Sequence, residues 1–157
     1  MEGKYLADFD KNRFQSKNQE YETPLSLFNV LNEEFKFTLD VCADDKNHKV
    51  DTYITEEQNA LIQDWKGICW MNPPYKNIKK WIVKAYNESI KHNSIVVCLV
   101  PARTNTSWWH DYCMKGEIRF IKGRPKFEGC KHGLPQPLAI VIFGKEYQNT
   151  YKSVIFQ

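Results

Sequence analysis

The sequence lacks paired cysteines and long apolar runs, two features that would place it in well-defined structural classes. Its five cysteines are odd in number and widely spaced, with no CxxC pair, which disfavours a disulfide framework or a zinc ribbon and favours a reducing cytoplasm. The longest apolar run, 95–102, has eight residues, whereas a membrane span needs roughly 20. The amino-terminal residues contain no apolar signal core. We therefore expect a cytoplasmic protein that does not enter a membrane.

The composition is that of an ordinary folded domain. The chain has 157 residues, of which 42% are hydrophobic and 26% are charged, enough for one domain with its own core. The net charge of +3 permits binding to nucleic acid without requiring it. Residues 1–20 are polar and show no clear periodicity. We expect a flexible amino-terminal arm there, followed by a single domain over residues 21–157.

Strands and helices alternate along this domain, which predicts an α/β fold: a three-layer sandwich with a central, mostly parallel sheet. Thr23 is expected to cap a first helix that begins at Pro24. Apolar residues at helical spacing predict a second helix after Asn77, with a buried stripe that reaches Ile90. A third helix is expected over 105–115, a helical turn over 55–61, and strands over 37–41, 50–54, 68–71, 95–100, 117–121, 138–143 and 151–156.

Three unusual segments fall where predicted strands end. Asp40 lies at the end of the first strand, residues 72–75 follow the strand 68–71, and residues 101–104 follow the strand 95–100. Ligands of open α/β sheets bind beyond the carboxyl ends of the strands. We therefore expect these three segments to contribute to one site.

The segment Asn72-Pro73-Pro74-Tyr75 has the chemistry to hold an amino group on a planar base. The Asn72 side-chain oxygen and a proline carbonyl both accept hydrogen bonds, and the two prolines keep the backbone stiff. Two converging acceptors match the two protons of an exocyclic NH2 group, and holding both turns the nitrogen lone pair toward an electrophile. Tyr75 offers a flat face on which a base can stack. This pattern predicts catalysis by alignment, without a cysteine nucleophile or a metal.

The order of motifs along the chain resembles a known family. [Asn/Asp/Ser]-Pro-Pro-[Tyr/Phe/Trp] after a strand is the signature of amino-methyltransferases that use S-adenosylmethionine. With its neighbouring motifs, the sequence resembles the short phage-type DNA N6-adenine methyltransferases of the Dam group over roughly residues 20–144. The motifs are Glu22-Thr23-Pro24, Phe37-Thr38-Leu39-Asp40-Val41-Cys42-Ala43, Ala60-Leu61 followed by Asp64-Trp65, Trp70-Met71-Asn72-Pro73-Pro74-Tyr75, Leu99-Val100-Pro101-Ala102-Arg103-Thr104, and Gly123-Arg124-Pro125-Lys126-Phe127.

The resemblance implies a compact Rossmann-like methyltransferase fold that transfers a methyl group from S-adenosylmethionine to adenine N6 in double-stranded DNA. For a phage-encoded protein the site of action would be the host cytoplasm. Asn72, Pro73, Pro74 and Tyr75 would be the catalytic residues, and Asp40 would lie near the methionine part of the cofactor. The glycine-rich turn that most such enzymes carry after this strand is absent, as in the short phage group. The cofactor-binding residues that the resemblance implies are Thr23, Pro24, Asp40, Cys42, Ala43, Asn59, Ala60, Leu61 and Asn72.

A DNA duplex buries the adenine amino group, so the resemblance also implies base flipping. Extruding a base costs roughly a few kcal/mol, which contacts to phosphates must offset. The expected DNA-binding residues all lie in predicted loops and are Arg103, Arg124, Lys126 and Lys131. The long loop 122–136 is expected to read the target or to close the base pocket.

Other interpretations stay open at this point. The same chemistry acts on cytosine N4 or on a protein glutamine amide, and a non-enzymatic DNA-binding module would keep the fold without the cofactor. Cys130 and His132 alone do not make a metal site, so no metal is expected. Of the adjacent Trp108 and Trp109, one is expected in the core, while the other is a candidate DNA contact. The sequence leaves the recognition site and the oligomeric state undetermined.

Overall fold

Helices and strands alternate through most of the chain, as the sequence predicts. The computed structural model describes residues 23–124 and 136–154. Its helices are α1 (Leu25–Phe35), α2 (Ile78–Lys91) and α3 (Ser107–Asp111), with two short 3-10 helices at Ala60–Ile62 and Cys113–Lys115. Its strands are β1 (Leu39–Asp40), β2 (Ile68–Met71), β3 (Ile95–Pro101), β4 (Glu117–Ile121), β5 (Leu138–Phe143) and β6 (Thr150–Val154).

The six strands form one mixed sheet in the order β1-β2-β3-β5-β4-β6. β1, β2 and β3 run parallel to one another, with Asp40 opposite Trp70 and Met71 opposite Cys98. β5 is antiparallel to both β3 and β4, whereas β6 is parallel to β4. Three of the five neighbouring pairs are therefore parallel. The carboxyl ends of β1 and β2 meet at the same edge of the sheet, where the sequence predicts a site.

The sheet separates two hydrophobic clusters because alternate residues of a strand point to opposite faces. On one face, Leu27 and Leu31 of α1 pack in a cluster with Val97 and Leu99 of β3. On the other face, Ile82 and Ala85 of α2 pack with Val96, Cys98 and Val100 of the same strand. β3 is thus covered on both sides, which accounts for its continuous apolar sequence. The predicted α/β class, a sheet flanked by helices, is confirmed.

The start of α1 differs from the prediction. Pro24 and not Thr23 takes the N-cap position, with φ −54° and ψ 129°, and no side chain caps the helix. Thr23 is only 2% exposed, and its hydroxyl oxygen accepts a hydrogen bond from the Asn72 side chain instead. A contact with a residue distant in sequence therefore replaces the local cap.

The predicted strand 50–54 is wrong. Only Tyr53 forms a bridge, parallel to Asp40, with backbone hydrogen bonds joining Asp40 to Thr52 and Ile54 on either side. The strand β1 has only two residues, so it offers too little backbone for a longer ladder. The predicted helical turn over 55–61 is also reduced to a turn followed by the 3-10 helix Ala60–Ile62.

Two predictions about the later helices are also wrong. Ile90 is 64% exposed, because it lies roughly 80° around the helix axis from Ile82, at the limit of the buried stripe. The helix predicted over 105–115 is divided into α3 and the 3-10 helix Cys113–Lys115. Trp108 and Trp109 are both buried, at 5% and 2% exposure. Both rings belong to the core cluster beneath α2, so neither is available to contact DNA.

Some predictions fall outside the described residues. These concern the amino-terminal arm 1–20, residues 125–135 of the long loop, Lys126, Lys131, Cys130 and His132, and the end of the last strand after Val154. Among the helices of the described ranges, none combines the length and the hydropathy that a bilayer crossing requires.

Candidate active site

A cavity of about 570 Å³ lies at the edge of the sheet where β1 and β2 end. Asp40, the last residue of β1, lines it together with Asn72, which directly follows β2. The volume is typical of small-molecule sites in proteins, about 300–1,000 Å³. The structure brings most of the sequence-predicted site residues to this wall: Thr23, Asp40, Cys42, Ala43, Asn59, Ala60, Leu61, Asn72 and Pro74.

Asn72 is positioned on this wall by the end of β2 and by Thr23. Its main chain leaves the sheet at two prolines, which cannot continue a central strand. Its side-chain nitrogen Nδ2 donates a hydrogen bond of 2.9 Å to the Thr23 hydroxyl oxygen, which lies just before α1. The catalytic candidate is therefore supported from both the sheet and the helix that covers it.

Asp40 combines a buried carboxylate with two backbone donors. Its side chain accepts a hydrogen bond from the Lys49 N–H at 3.0 Å and another from the Cys42 N–H at 3.3 Å. Burial raises the pKa of Asp40, while these N–H groups and the positive charge of Lys49 act in the opposite direction. Asp40 thus organises the loop that follows β1 and gives the cavity a carboxyl group that would gain from a cation beside it.

A second wall of the cavity is formed by Asn59, Ala60 and Leu61. The Asn59 residue has a positive φ of 54°, and its side chain accepts a hydrogen bond from the Leu61 N–H at 3.2 Å. The Ala60 carbonyl accepts a bond of 2.9 Å from the indole N–H of Trp65, which is fully buried. This anchoring fixes the part of the cavity lining that Ala60 and Leu61 form.

Three of the predicted site residues and one predicted segment lie off the cavity wall. Pro24, Pro73 and Tyr75 are not among its lining residues, and neither are residues 101–104. The Tyr75 hydroxyl oxygen is buried, and its half-buried ring packs against the hydrophobic clusters on both faces of the sheet. The Arg103 guanidinium contacts the Gln136 side-chain oxygen at 3.5 Å, and Arg124 is exposed.

Three lysines line the cavity that sequence reasoning did not single out: Lys49, Lys76 and Lys80. Lys76 and Lys80 are exposed and lie on either side of the start of α2. The amino end of a helix already carries partial positive charge, so these lysines concentrate positive charge beside Asn72. The sequence could have indicated Lys76 and Lys80 by their position, because Lys76 directly follows the Asn-Pro-Pro-Tyr segment and Lys80 lies four residues further on.

The cysteines near the cavity are poor nucleophiles. Burial raises the pKa of Cys42 well above its usual value, and burial raises that of Cys69 to about 12. Because the thiolate is the reactive form, both groups are almost entirely protonated at neutral pH. These two thiols are therefore poorly suited to form a covalent intermediate, and the expectation that the reaction uses no cysteine nucleophile stays a prediction.

A separate polar cluster lies outside this cavity. Asp64, Glu88 and His92 place their ligand atoms within 4.8 Å of one another. Glu88 accepts hydrogen bonds from the Trp65 N–H and from Lys84, and Asp64 pairs with Lys91 at 3.0 Å. These contacts give the carboxylates a structural role, and the expectation that the reaction needs no metal stays a prediction.

Comparison with known proteins identifies the family. The family described as DNA N-6-adenine-methyltransferase (Dam) matches residues 11–154. A DNA N-6-adenine-methyltransferase of Haemophilus phage HP1 (strain HP1c1) is 35% identical over 142 residues, 82% of this chain and 82% of the phage protein. A protein of the same name from Escherichia phage T1 is 29% identical over 92 residues, which cover 57% of this chain and 38% of the T1 protein. The chain belongs to the DNA N-6-adenine-methyltransferase (Dam) family.

Membership of this family gives the activity. The protein is an enzyme that methylates adenine N6 in DNA, and the predicted resemblance is confirmed. The matched range extends past the predicted one at both ends, beginning at residue 11 and ending at residue 154. Among the alternatives that the sequence left open, the family favours adenine over cytosine and glutamine, and an enzyme over a binding module.

Proposed function

We propose that the cavity at the ends of β1 and β2 holds S-adenosylmethionine and the target adenine side by side, within a compact three-layer, Rossmann-like methyltransferase fold. The observation that carries this proposal is the common cavity itself, which both Asp40 and Asn72 line. The family implies a methyl donor, and S-adenosylmethionine supplies an electrophilic methyl group on a positively charged sulfur. The groups around Asp40 and those around Asn72 suit such a pair.

The Asp40 end of the cavity suits the cofactor. The buried carboxyl group of Asp40 is desolvated, and a neighbouring positive charge stabilises the ionised form of such a group. The apolar wall of Ala60 and Leu61, held by Trp65, offers a surface for the adenine ring of the cofactor. Thr23, Cys42, Ala43 and Asn59, which line the cavity, complete the proposed cofactor site, whereas the predicted Pro24 lies off its wall.

The Asn72 end of the cavity suits the target base. The Asn72 side-chain oxygen accepts one hydrogen bond from the N6 amino group, and Pro74, which lines the cavity, lies beside the base. The family resemblance gives the second hydrogen bond to the Pro73 carbonyl and the stacking contact to Tyr75. Both residues lie off the cavity wall in this structure, so these two contacts require the segment 72–75 to shift when the base binds. When bound, S-adenosylmethionine would supply the methyl group: the amino nitrogen would bond to the methyl carbon, the sulfur would keep the electron pair of the broken carbon–sulfur bond, and the nitrogen would then release a proton to solvent. The protein contributes by aligning the amino nitrogen with the methyl group. No covalent enzyme intermediate takes part.

The target base reaches this cavity only after it leaves the stack of a double-stranded DNA. Positively charged residues around the site offset that cost by binding phosphates, which position the DNA without reading its sequence. Arg103, Arg124, Lys126 and Lys131 are the sequence-predicted contacts. Lys76 and Lys80, which line the cavity, join them because they flank the proposed base pocket.

The product identifies the reaction directly. The protein is incubated with S-adenosylmethionine labelled in its methyl group and with unmethylated genomic DNA, and the DNA is digested to nucleosides for mass spectrometry. We expect label in N6-methyladenine alone. Label in N4-methylcytosine, or label in a protein and none in DNA, would overturn the proposed substrate.

A further inference from the structure

Thr23 and Asn72 meet on the cavity wall although 49 residues separate them in the sequence. The Thr23 hydroxyl oxygen accepts a hydrogen bond of 2.9 Å from Nδ2 of Asn72. Thr23 is 2% exposed and directly precedes α1, whose Leu27 and Phe28 are anchored in the hydrophobic cluster. The hydroxyl is therefore held in place by the packing of a whole helix.

In this contact the nitrogen end of the Asn72 carboxamide faces Thr23. A carboxamide has one arm that only accepts hydrogen bonds, the oxygen, and one arm that only donates them, the nitrogen. Because Nδ2 is directed to Thr23, the side-chain oxygen Oδ1 is directed away from Thr23. An amino group presents hydrogens, so it is bound by the oxygen arm and repelled by the nitrogen arm.

We propose that Thr23 is a positioning residue for methyl transfer, because its hydroxyl accepts a hydrogen bond from Nδ2 and so holds the Asn72 carboxamide with Oδ1 directed toward the target amino group. This inference rests on the proposed function of Asn72. It gives Thr23 a role beyond lining the cofactor cavity. The Thr23 hydroxyl is not needed to cap the helix, since no side chain caps α1.

The first test separates the hydroxyl from the shape of the side chain. Thr23→Val keeps the shape and removes the hydrogen bond, and Thr23→Ser keeps the hydroxyl. We expect Thr23→Val to lower kcat for DNA methylation by about 10- to 100-fold, the cost of misaligned reacting groups. The dissociation constant for S-adenosylmethionine, measured by calorimetry, changes far less. Thr23→Ser restores most of the lost kcat.

A matched control comes from outside the cavity. The Thr150 hydroxyl, in β6, donates a hydrogen bond of 3.0 Å to the Gln148 carbonyl oxygen. Thr150→Val is expected to affect kcat much less than Thr23→Val does. Thermal unfolding verifies that each variant is folded, and Thr23→Ala replaces Thr23→Val in the comparison if the valine variant does not fold.

A double-mutant cycle tests the orientation directly. Both oxygens of a carboxylate accept hydrogen bonds, so in Asn72→Asp either oxygen can bind the target amino group. We expect Thr23→Val to cost less in the Asn72→Asp background than in the wild type, measured as the ratio of single-turnover rates. Equal ratios in the two backgrounds would show that Thr23 does not act through the carboxamide.

Two other outcomes overturn the inference. One is that Thr23→Val retains kcat within about twofold of the wild type. Such a change is smaller than the effect expected from the loss of one ordinary hydrogen bond. The other is that Thr23→Ser loses as much kcat as Thr23→Val, which would point to packing. Failure of the proposed function is distinguishable, because the wild-type protein itself would then not methylate adenine.

Discussion

At the scale of single residues, the site depends on polar side chains whose partners are fixed by the backbone. The Asp40 carboxylate is held by the Lys49 and Cys42 N–H groups, and the Asn72 carboxamide is held by Thr23. Each is placed by a strand end and steadied by a residue from elsewhere in the chain. Such support is what a reaction that works by alignment needs from a protein.

Asp40 gives a prediction about pH. Burial raises its pKa in the folded protein above the usual 3.8, so the native state binds this proton more tightly than the unfolded state. The resulting contribution to stability is complete below about pH 3.8 and is lost as pH rises through the raised pKa. Denaturant unfolding between pH 3.5 and 7 should therefore show the wild type losing stability relative to Asp40→Asn as pH increases. Parallel curves for the two proteins would contradict this account.

At the scale of elements, α1 is joined to the sheet by a network around Arg119. The guanidinium of this β4 residue donates two hydrogen bonds, of 2.6 and 2.7 Å, to the Glu34 carboxylate of α1. It also donates one of 2.7 Å to Glu117, which pairs with Lys152 of β6 at 3.0 Å. Arg119 is 9% exposed and Glu117 is 5% exposed. The network therefore fixes the helix that Thr23 precedes.

The two sides of this network should differ in their effect on stability. Arg119→Leu leaves the buried Glu117 with one partner fewer, so it should lower the free energy of unfolding by about 3 kcal/mol. Glu34→Ala removes a partner whose side chain is 45% exposed, and solvent screening limits its cost to roughly 1 kcal/mol or less. Urea unfolding of both variants measures the difference. Equal losses would mean that burial does not set the strength of these pairs.

The start of α2 gives a prediction about DNA affinity. Each of Lys76→Ala and Lys80→Ala should raise KM for DNA and reduce the slope of log affinity against log salt concentration by about 1. The affinity for S-adenosylmethionine should change little. Lys91→Ala, on the last turn of the same helix and paired with Asp64, is the matched control. A slope that stays the same in both cavity variants would remove these lysines from the DNA interface.

How far the sequence predicts the structure also depends on the scale of the element. The strands 68–71 and 117–121 were predicted because their patterns are local, and so was the helix after Asn77. The strand 50–54 was wrong because its pairing ends with the two-residue β1. The Thr23 contact with Asn72 was missed because a cap and a distant hydrogen bond use the same hydroxyl. Local patterns therefore gave the elements, and the family resemblance gave nine of the residues that line the cavity, while contacts between elements required the structure.

At the scale of the whole molecule, one sheet edge gathers the proposed chemistry. The parallel strands β1 and β2 bring Asp40 and Asn72 to one cavity. A second cavity of about 410 Å³, near the amino end of β3, is lined by Tyr86, Lys115 and Tyr147 and by none of the predicted site residues. The predicted site residues thus lie at the carboxyl ends of the strands, where open α/β sheets bind their ligands.

The central claim is that Asn72 aligns the adenine amino group at this edge. The most direct test is the single-turnover rate of methyl transfer to DNA by Asn72→Ala, with S-adenosylmethionine bound to saturation and its affinity measured by calorimetry. We expect methyl transfer to be almost abolished and the affinity for the cofactor to be largely retained. A rate equal to that of the wild type would contradict the claim.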